Sequence, residues 1–272
     1  MKVVCRDPQK ELVKLIGTVA GCRYGTWEVF SNYVEMAAIS ISNAIDLAQR
    51  DAREARYMAI VKGYRPEELQ RFPEMLGLLV MALETEVSDV LGKTYHDLEL
   101  HNKWMGQYFT PFTICQMMAQ MTLGDVSDLE AEIAARGFVT AAEPSCGSGA
   151  MMLALAAEMR AGGVNYQQHL HITATDVDLK CVHMAFLQLS LLNIPAVVVH
   201  GNSLSLEEYS HWFTPAHILN GWDHKLRHRA ELETPPVREP ESLPPIKAPM
   251  IAPSLAIPTL PAPRPGTQLS LF

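Results

Sequence analysis

Between Phe138 and His200 the sequence alternates short strand-forming runs with longer apolar segments of helical period. Phe138 to Ala142, His171 to Thr175 and Ala196 to His200 read as strands. The segment MMLALAAEM, preceded by Gly147 and Gly149 and closed by Gly162-Gly163, reads as a helix, as does Leu179 to Leu192. Parallel strands cannot be joined by a tight turn; each pair needs a crossover of about a dozen residues or more, usually a helix. A β-α-β-α-β series therefore specifies an α/β fold with a parallel, doubly wound sheet.

What flanks this unit differs on its two sides. Residues 1–105 read as a helical domain. Thr26 is placed as an N-cap, Phe30, Val34, Ala38, Ile41 and Ile45 follow at helical spacing, and Gly63 closes the stretch. Pro66 stands where a first-turn proline is tolerated, with Glu67 and Glu68 at the positive helix end, and Met75 to Leu91 continues the pattern. Thr110-Pro111 opens a further helix, FTICQMMAQM, ending near Gly124. Beyond the α/β unit, eleven of the 18 prolines fall between Pro235 and Pro265. A chain with proline every few residues holds neither helix nor central strand. The expected division is a helical domain over 1–105, a Rossmann-like domain over 106–230 and an extended, largely disordered Pro-rich tail over 231–272.

Several function classes are set aside. A net charge of −8 argues against coating nucleic acid by bulk charge, though not against a local basic patch. No apolar run approaches the roughly 18–20 residues of a membrane helix, and MKVVCRDPQK lacks a signal-type stretch, so a cytoplasmic protein is expected. The five cysteines form no CxxC pair, and the ten histidines match no zinc spacing, so neither a disulfide framework nor a metal site is expected. Lys225, Arg227 and Arg229 read as a solvated helix end. Met117, Met118, Met121, Met151 and Met152 read as core filler, and Cys146 as a packing residue.

The chemistry concentrates in Glu143-Pro144-Ser145-Cys146-Gly147-Ser148-Gly149, which follows one strand and opens one helix. Glycines there let the backbone turn tightly beside a ligand, and the helix N-terminus offers unpaired N–H groups. A phosphate-cradling loop needs a lysine that is absent. A dinucleotide fingerprint needs a third glycine where Met152 stands. S-adenosylmethionine, a cationic ligand with an amino group and a ribose, suits the acids at two strand ends: Glu143 and, in TATDVD, Asp176.

Gly106-Gln107-Tyr108-Phe109-Thr110-Pro111 followed by that glycine segment, with Asp89-Val90-Leu91-Gly92 upstream, resembles the adenine-N6 DNA methyltransferases. The likeness is to the modification subunit of type I restriction-modification systems, over roughly residues 75–205. It implies a truncated Rossmann-like S-adenosylmethionine-dependent methyltransferase domain, DNA as substrate, and a partner modification or specificity subunit. By that resemblance Tyr108, Phe109, Thr110 and Pro111 line the methionine end of the cofactor, and Glu143 lies near its amino group. Gly147 and Gly149 lie close under it, and Asp176 holds the ribose. Asn202 stands where the family usually has Asp to read the adenine amino group, and its carbonyl still accepts that bond. As a helix cap, Thr110 would also place a positive helix end near the cofactor carboxylate.

The family handles a flipped-out adenine with [NDS]-P-P-[YFW] after a fourth strand. Here the Pro-Pro pairs lie in Thr234-Pro235-Pro236-Val237 and Leu243-Pro244-Pro245-Ile246, without the polar residue before or the aromatic after. The nearest segment in the expected place is Phe213-Thr214-Pro215-Ala216. No catalytic residue is identifiable, and strands four to seven of the sheet are expected to be missing. Two accounts stay open: a DNA methylase with an unusual or partner-supplied site, or a cofactor-sensing or DNA-associated module that does not methylate.

The last five residues, Gln268-Leu269-Ser270-Leu271-Phe272, resemble the bacterial sliding-clamp binding motif. That likeness makes Gln268, Leu269, Leu271 and Phe272 partner-binding residues on a Pro-rich tether. The other reading folds Leu269, Leu271 and Phe272 back onto the domain.

Overall fold

The computed structural model describes residues 7–21, 23–100 and 109–233. Tyr108, the clamp-motif residues Gln268, Leu269, Leu271 and Phe272, and all of the Pro-rich tail from Thr234 lie outside the described residues. The helices before the sheet are α1 (Pro8–Ala20), α2 (Thr26–Asn43), α3 (Arg50–Val61), α4 (Pro66–Leu69), α5 (Arg71–Thr85), α6 (Val90–Asp97), α7 (Phe112–Leu123) and α8 (Val126–Arg136). Then follow β1 (Val139–Glu143), α9 (Ala150–Ala161), α10 (Tyr166–His169), β2 (Leu170–Asp176), α11 (Leu179–Leu191), β3 (Ala196–Asn202), β4 (Glu207–Phe213), α12 (Pro215–Leu219) and α13 (Trp222–Glu233).

Local chemistry sets most boundaries. Asp7 caps α1 by accepting from the amides of Gln9 and Lys10, with Pro8 in the first turn. The stretch expected to run unbroken from Thr26 to Gly63 is instead two helices, and Gly25 rather than Thr26 is the N-cap. The break lets Asp46 turn inward and meet Arg53 at 2.8 Å, an ion pair that an uninterrupted helix would not form. Thr110 does not cap α7: Pro111 holds that place in extended backbone, with ψ 135°, which leaves Thr110 outside the turn. Helix α8, unexpected from the sequence, buries little beyond Leu129, so its apolar stripe is faint.

The sheet order is β1-β2-β3-β4. The first three strands are parallel, in register from Val139 opposite Leu170 and from Ile172 opposite Ala196. Strand β4 corrects the expectation of a purely parallel sheet with no fourth strand: it returns antiparallel along β3, with an irregularity at His200/Gly201. The connection, residues 203–206, is too short for a crossover and allows only an antiparallel return. Right-handed crossovers taken in one direction place α9 and α11 on the same face. The other face is covered at one end, where Trp222 is fully buried against Phe138 and His171, with ring centroids 4.9 and 5.2 Å apart. There His171 Nε2 lies 2.9 Å from His217 Nδ1, and His217 Nε2 lies 3.0 Å from Asp223 Oδ1. Thr140, Ala142 and Thr173, on the same face, are exposed.

Helix α11 is apolar around most of its surface, the mark of a helix buried on all sides. Val182, Ala185, Phe186 and Leu189 join the sheet core, with Ile172, Ala174 and Val198. Met184 and Leu187 join the core of the N-terminal helices, with Phe30, Met75 and Leu91. Each of these side chains larger than alanine contributes about 1.5–3 kcal/mol on leaving water. Arg53 adds a polar tie. It bonds Ser42, donates from Nη2 to the carbonyl of His211 on β4 at 2.8 Å, and stacks over Trp212 at 3.9 Å. No described helix is long and apolar enough to cross a membrane.

Candidate functional site

Strands β1 and β2 end side by side, at Glu143 and Asp176, and the glycine turn closes over them. Gly147 and Gly149 adopt φ of +54° and +91°, left-handed values that favour glycine. The amide of Cys146 donates to the Thr175 carbonyl at 2.9 Å, and that of Gly147 to Asp176 Oδ2 at 2.8 Å. Asp176 Oδ1 accepts from the amide of Asp178 at 2.9 Å, so its carboxylate pins the turn to the end of β2. Burial holds the Asp176 carboxyl above the ordinary aspartate range, against the pull of these amides. A side chain on Gly147 would meet the Phe109 ring at 3.0 Å. Gly149 instead backs onto α11, where a Cβ would reach Ala185 at 3.4 Å.

The middle of the turn is held from the N-terminal layer. Ser148 donates its hydroxyl to Asp89 Oδ2 at 2.6 Å, and Gly92 N and Gln188 Nε2 donate to Asp89 Oδ1 at 2.9 and 3.0 Å. Gln188 also donates to the Ser148 carbonyl at 2.9 Å and accepts from the amide of Leu91 at 3.0 Å. A Cβ on Gly92 would fall 1.9 Å from Asp89 Oδ2, so the network requires glycine there. Burial also raises the Asp89 carboxyl.

A cleft of about 520 Å³ opens over the turn. Of the residues singled out from the sequence it brings together Phe109, Thr110, Glu143, Gly147 and Asp176. It adds Cys115, Met118 and Met151, which the site motifs leave out, and Ser148 and Val177 from within those motifs. Pro111 lines a neighbouring cavity of about 1030 Å³ that shares Phe109 and Thr110 with the cleft. Asn202 is absent from the lining; its Oδ1 accepts from the amides of Leu204 and Ser205 at 3.0 and 3.4 Å, capping its own loop. The α7 methionines correct their reading as core filler: Met117, Met118 and Met121 are 50%, 44% and 77% exposed. Helix α7 buries only the narrow strip of Cys115 and Ala119, and hydropathy alone does not reveal that no described layer covers its other side. Met152 is buried, as expected.

Phe213-Thr214-Pro215-Ala216 is not in the cleft. Thr214 is fully buried at the start of β3: its Oγ1 accepts from Ala196 N at 2.8 Å and donates to the Ile194 carbonyl at 2.9 Å. The cleft sits at the other end of the same strands. Lys225 and Arg229 are also more engaged than a solvated helix end: Lys225 lies over Trp222 at 4.4 Å, and Arg229 donates to the Phe138 carbonyl at 2.9 Å.

The charged side chains lining the cleft are the two carboxylates Glu143 and Asp176, beside the apolar Met118 and Met151. That lining favours a cationic ligand with an apolar part. The Cys146 thiol is pushed well above its ordinary value by burial, which leaves it unsuited as a nucleophile. Among the described residues, no group of three His, Cys, Asp or Glu side chains is placed to hold a metal ion. Residues 86–220 match the family model of the N-6 DNA methylases. The family's cofactor is S-adenosylmethionine. Among solved structures, the chain is similar to one from Listeria monocytogenes assigned to the class I S-adenosylmethionine-dependent methyltransferases. That likeness has 15% identity and a TM-score of 0.40, over 72% of this chain and 54% of the other, about half its length. No curated protein matches the sequence.

Proposed function

We propose that the cleft over the glycine turn holds S-adenosylmethionine and that the protein serves adenine-N6 methylation of DNA in a cytoplasmic, restriction-modification setting. The carrying observation is the Gly147 cradle: a left-handed backbone, bare of side chain and 3.0 Å short of Phe109 once a Cβ is added, lies between Glu143 and Asp176. These residues fit the cofactor. Glu143 would attract its ammonium group and Asp176 its ribose hydroxyls, while Phe109, Thr110, Met118 and Met151 would pack about its methionine part. Tyr108 and Pro111 belong to the same segment by sequence, and Asn202 would read the adenine only by releasing its loop amides. When bound, S-adenosylmethionine supplies an electrophilic methyl group; the chain's own residues bind, orient and exclude water.

Methyl transfer to adenine further needs acceptors for the exocyclic amine and a face on which the flipped base stacks. Because Thr214 lies buried at the far end of the strands, a second reading is supported. In it the chain is a cofactor-binding module, catalytic only if another subunit brings the acceptors. In either reading, QLSLF would tether the protein to a replication sliding clamp.

Calorimetry with S-adenosylmethionine, paired with transfer of labelled methyl to DNA, tests both. Binding with transfer supports a self-sufficient methylase. Binding without transfer supports the module, and no binding overturns both.

A further inference from the structure

Helix α13 carries His224-Lys225-Leu226-Arg227-His228-Arg229, a basic run in a protein of net charge −8. The acids of the helix stand outside this run, Asp223 before it and Glu231 and Glu233 after it. Asp223 Oδ1 faces His217 Nε2 at 3.0 Å. Lys225 is exposed, lies over Trp222 at 4.4 Å from the ring centre, and forms no ion pair among the described residues. It borders a surface basin of about 530 Å³ whose other lining side chains are all carboxamides: Asn165, Gln167, Gln168, Asn193 and Asn220. The segments that supply them are fixed. Asn165 Oδ1 accepts from the Gln167 amide at 3.1 Å, which leaves the Asn165 NH2 group as a donor. Gln167 Nε2 donates to the Leu192 carbonyl at 3.1 Å, and Asn193 holds φ +55°. No carboxylate lines this basin, whereas the cofactor cleft carries Glu143 and Asp176, and the cavity beside it Asp7, Glu86 and Asp89. An ammonium group among amide donors, with no acid in the wall, suits an anion.

We propose that this basin and the basic run of α13 hold the phosphate backbone of duplex DNA. Phosphate contacts draw on this set of groups, lysine and arginine together with asparagine and glutamine. The extent of the surface favours a polyanion over a single ion. Asn165, Asn193 and Asn220 are exposed, and cations continue from Lys225 to the exposed Arg227 and His228. The place has a consequence for the site. Gln168 lies on α10, which runs directly into the start of β2, and Asn193 stands three residues ahead of β3. The basin is therefore at the end of the sheet opposite the cleft, one length of β2 away. Seven residues of strand cover about 23 Å. A duplex meeting both places spans about seven base steps, at about 3.4 Å each. The basin gives register and orientation, and does not touch a base held at the cleft. That the polyanion is DNA rests on the function proposed above; that the ligand is anionic rests on the basin alone.

The test follows binding of the full chain to a fluorescently labelled duplex of mixed sequence, by anisotropy, through a salt series. Lys225→Gln should reduce the slope of log affinity against log salt by about one. At about 0.1 M salt, one counterion fewer released is an affinity loss of about eightfold. Asn220→Asp, which puts a negative charge into the basin at an exposed position, should give a loss of comparable size. Lys14→Gln, an exposed lysine beside Glu11 and Glu74, should change neither slope nor affinity. No duplex binding by the wild type, an unchanged slope in Lys225→Gln, or an equal loss in Lys14→Gln overturns the proposal. Saturable binding of inorganic phosphate that the duplex does not displace also overturns it, in favour of a small-anion site. Tighter binding of an RNA competitor overturns the assignment to DNA. Calorimetry with S-adenosylmethionine reads the cleft separately. Cofactor binding absent with the salt response as expected fails the earlier reading alone, and the reverse result fails this one alone.

Discussion

Asp89 and Ser148 stand 59 residues apart in sequence and meet at 2.6 Å, joining the first turn of α6 to the centre of the glycine turn. Asp89→Ala leaves the Ser148 hydroxyl, the Gly92 amide and the Gln188 amide group without their acceptor in a buried place. The expected loss is about 3 kcal/mol or more, with a fall in affinity for S-adenosylmethionine because the turn loses its support. Asp89→Asn, a neutral isostere of a carboxyl that burial already holds high, should cost about 1 kcal/mol. Urea denaturation and calorimetry check both, and equal losses for the two variants would refute the role of the carboxyl oxygens.

Gly147→Ala places a Cβ 3.0 Å from Phe109 on a backbone with φ of +54°. The left-handed conformation alone costs about 1–2 kcal/mol for an alanine, and the methyl group narrows the cradle. Affinity for S-adenosylmethionine should fall about tenfold or more, 1.4 kcal/mol or above. Asp176→Ala should abolish binding, and unchanged affinity in isothermal titration would sink the ribose role.

His171 and His183 are each held neutral by burial, with values depressed to about 4 from 6.5. Groups lowered in the folded state take up protons first in the unfolded chain. The stability they contribute is therefore full above pH 6.5 and is lost as pH falls from there toward 4. Each accounts for at most about 3 kcal/mol. Urea midpoints at pH 7.5 and 5.0 should differ in the wild type, and His183→Phe should narrow the difference. An identical pH dependence in the variant would contradict the assignment.

Arg53 is nearly buried and serves Ser42, Asp46, the His211 carbonyl and the Trp212 face at once. Arg53→Met retains the aliphatic stem but strands the Asp46 charge, so a loss of about 3–5 kcal/mol is expected. Chemical denaturation decides it, and a loss below about 1 kcal/mol would show the pair to be weakly coupled.

Deleting Gln268–Phe272 should abolish capture of the chain by purified bacterial sliding clamp while leaving cofactor affinity intact. Capture that survives the deletion places the contact elsewhere.

The sheet was legible because two periods, one of about two residues and one of 3.6, are written cleanly from Phe138 to His200, and the strands fall within two residues of their expected ends. That same alternation brings Glu143, Gly147 and Asp176 to one end of the sheet, so their meeting in one cleft was also readable. Three features were not. Strand β4 follows a four-residue connection whose shape depends on Leu206 taking φ +60°, which its sequence does not advertise. The Asp89–Ser148–Gln188 network joins residues far apart in the chain, and no local pattern marks such a tie. The exposure of Met117 and Met121 depends on whether a further layer covers α7, and a methionine reads the same in either case.

Because α11 is enclosed by the sheet on one side and the N-terminal helices on the other, neither layer has a dry surface of its own to fall back on. A fragment beginning near residue 106 would bare Met184 and Leu187 to water and lose the carboxylate that steadies its turn. The two layers should therefore melt in a single transition. A small molecule gripping the turn would then raise the unfolding temperature of helices as distant in sequence as α1, making the whole assembly a thermometer for occupancy of the cleft.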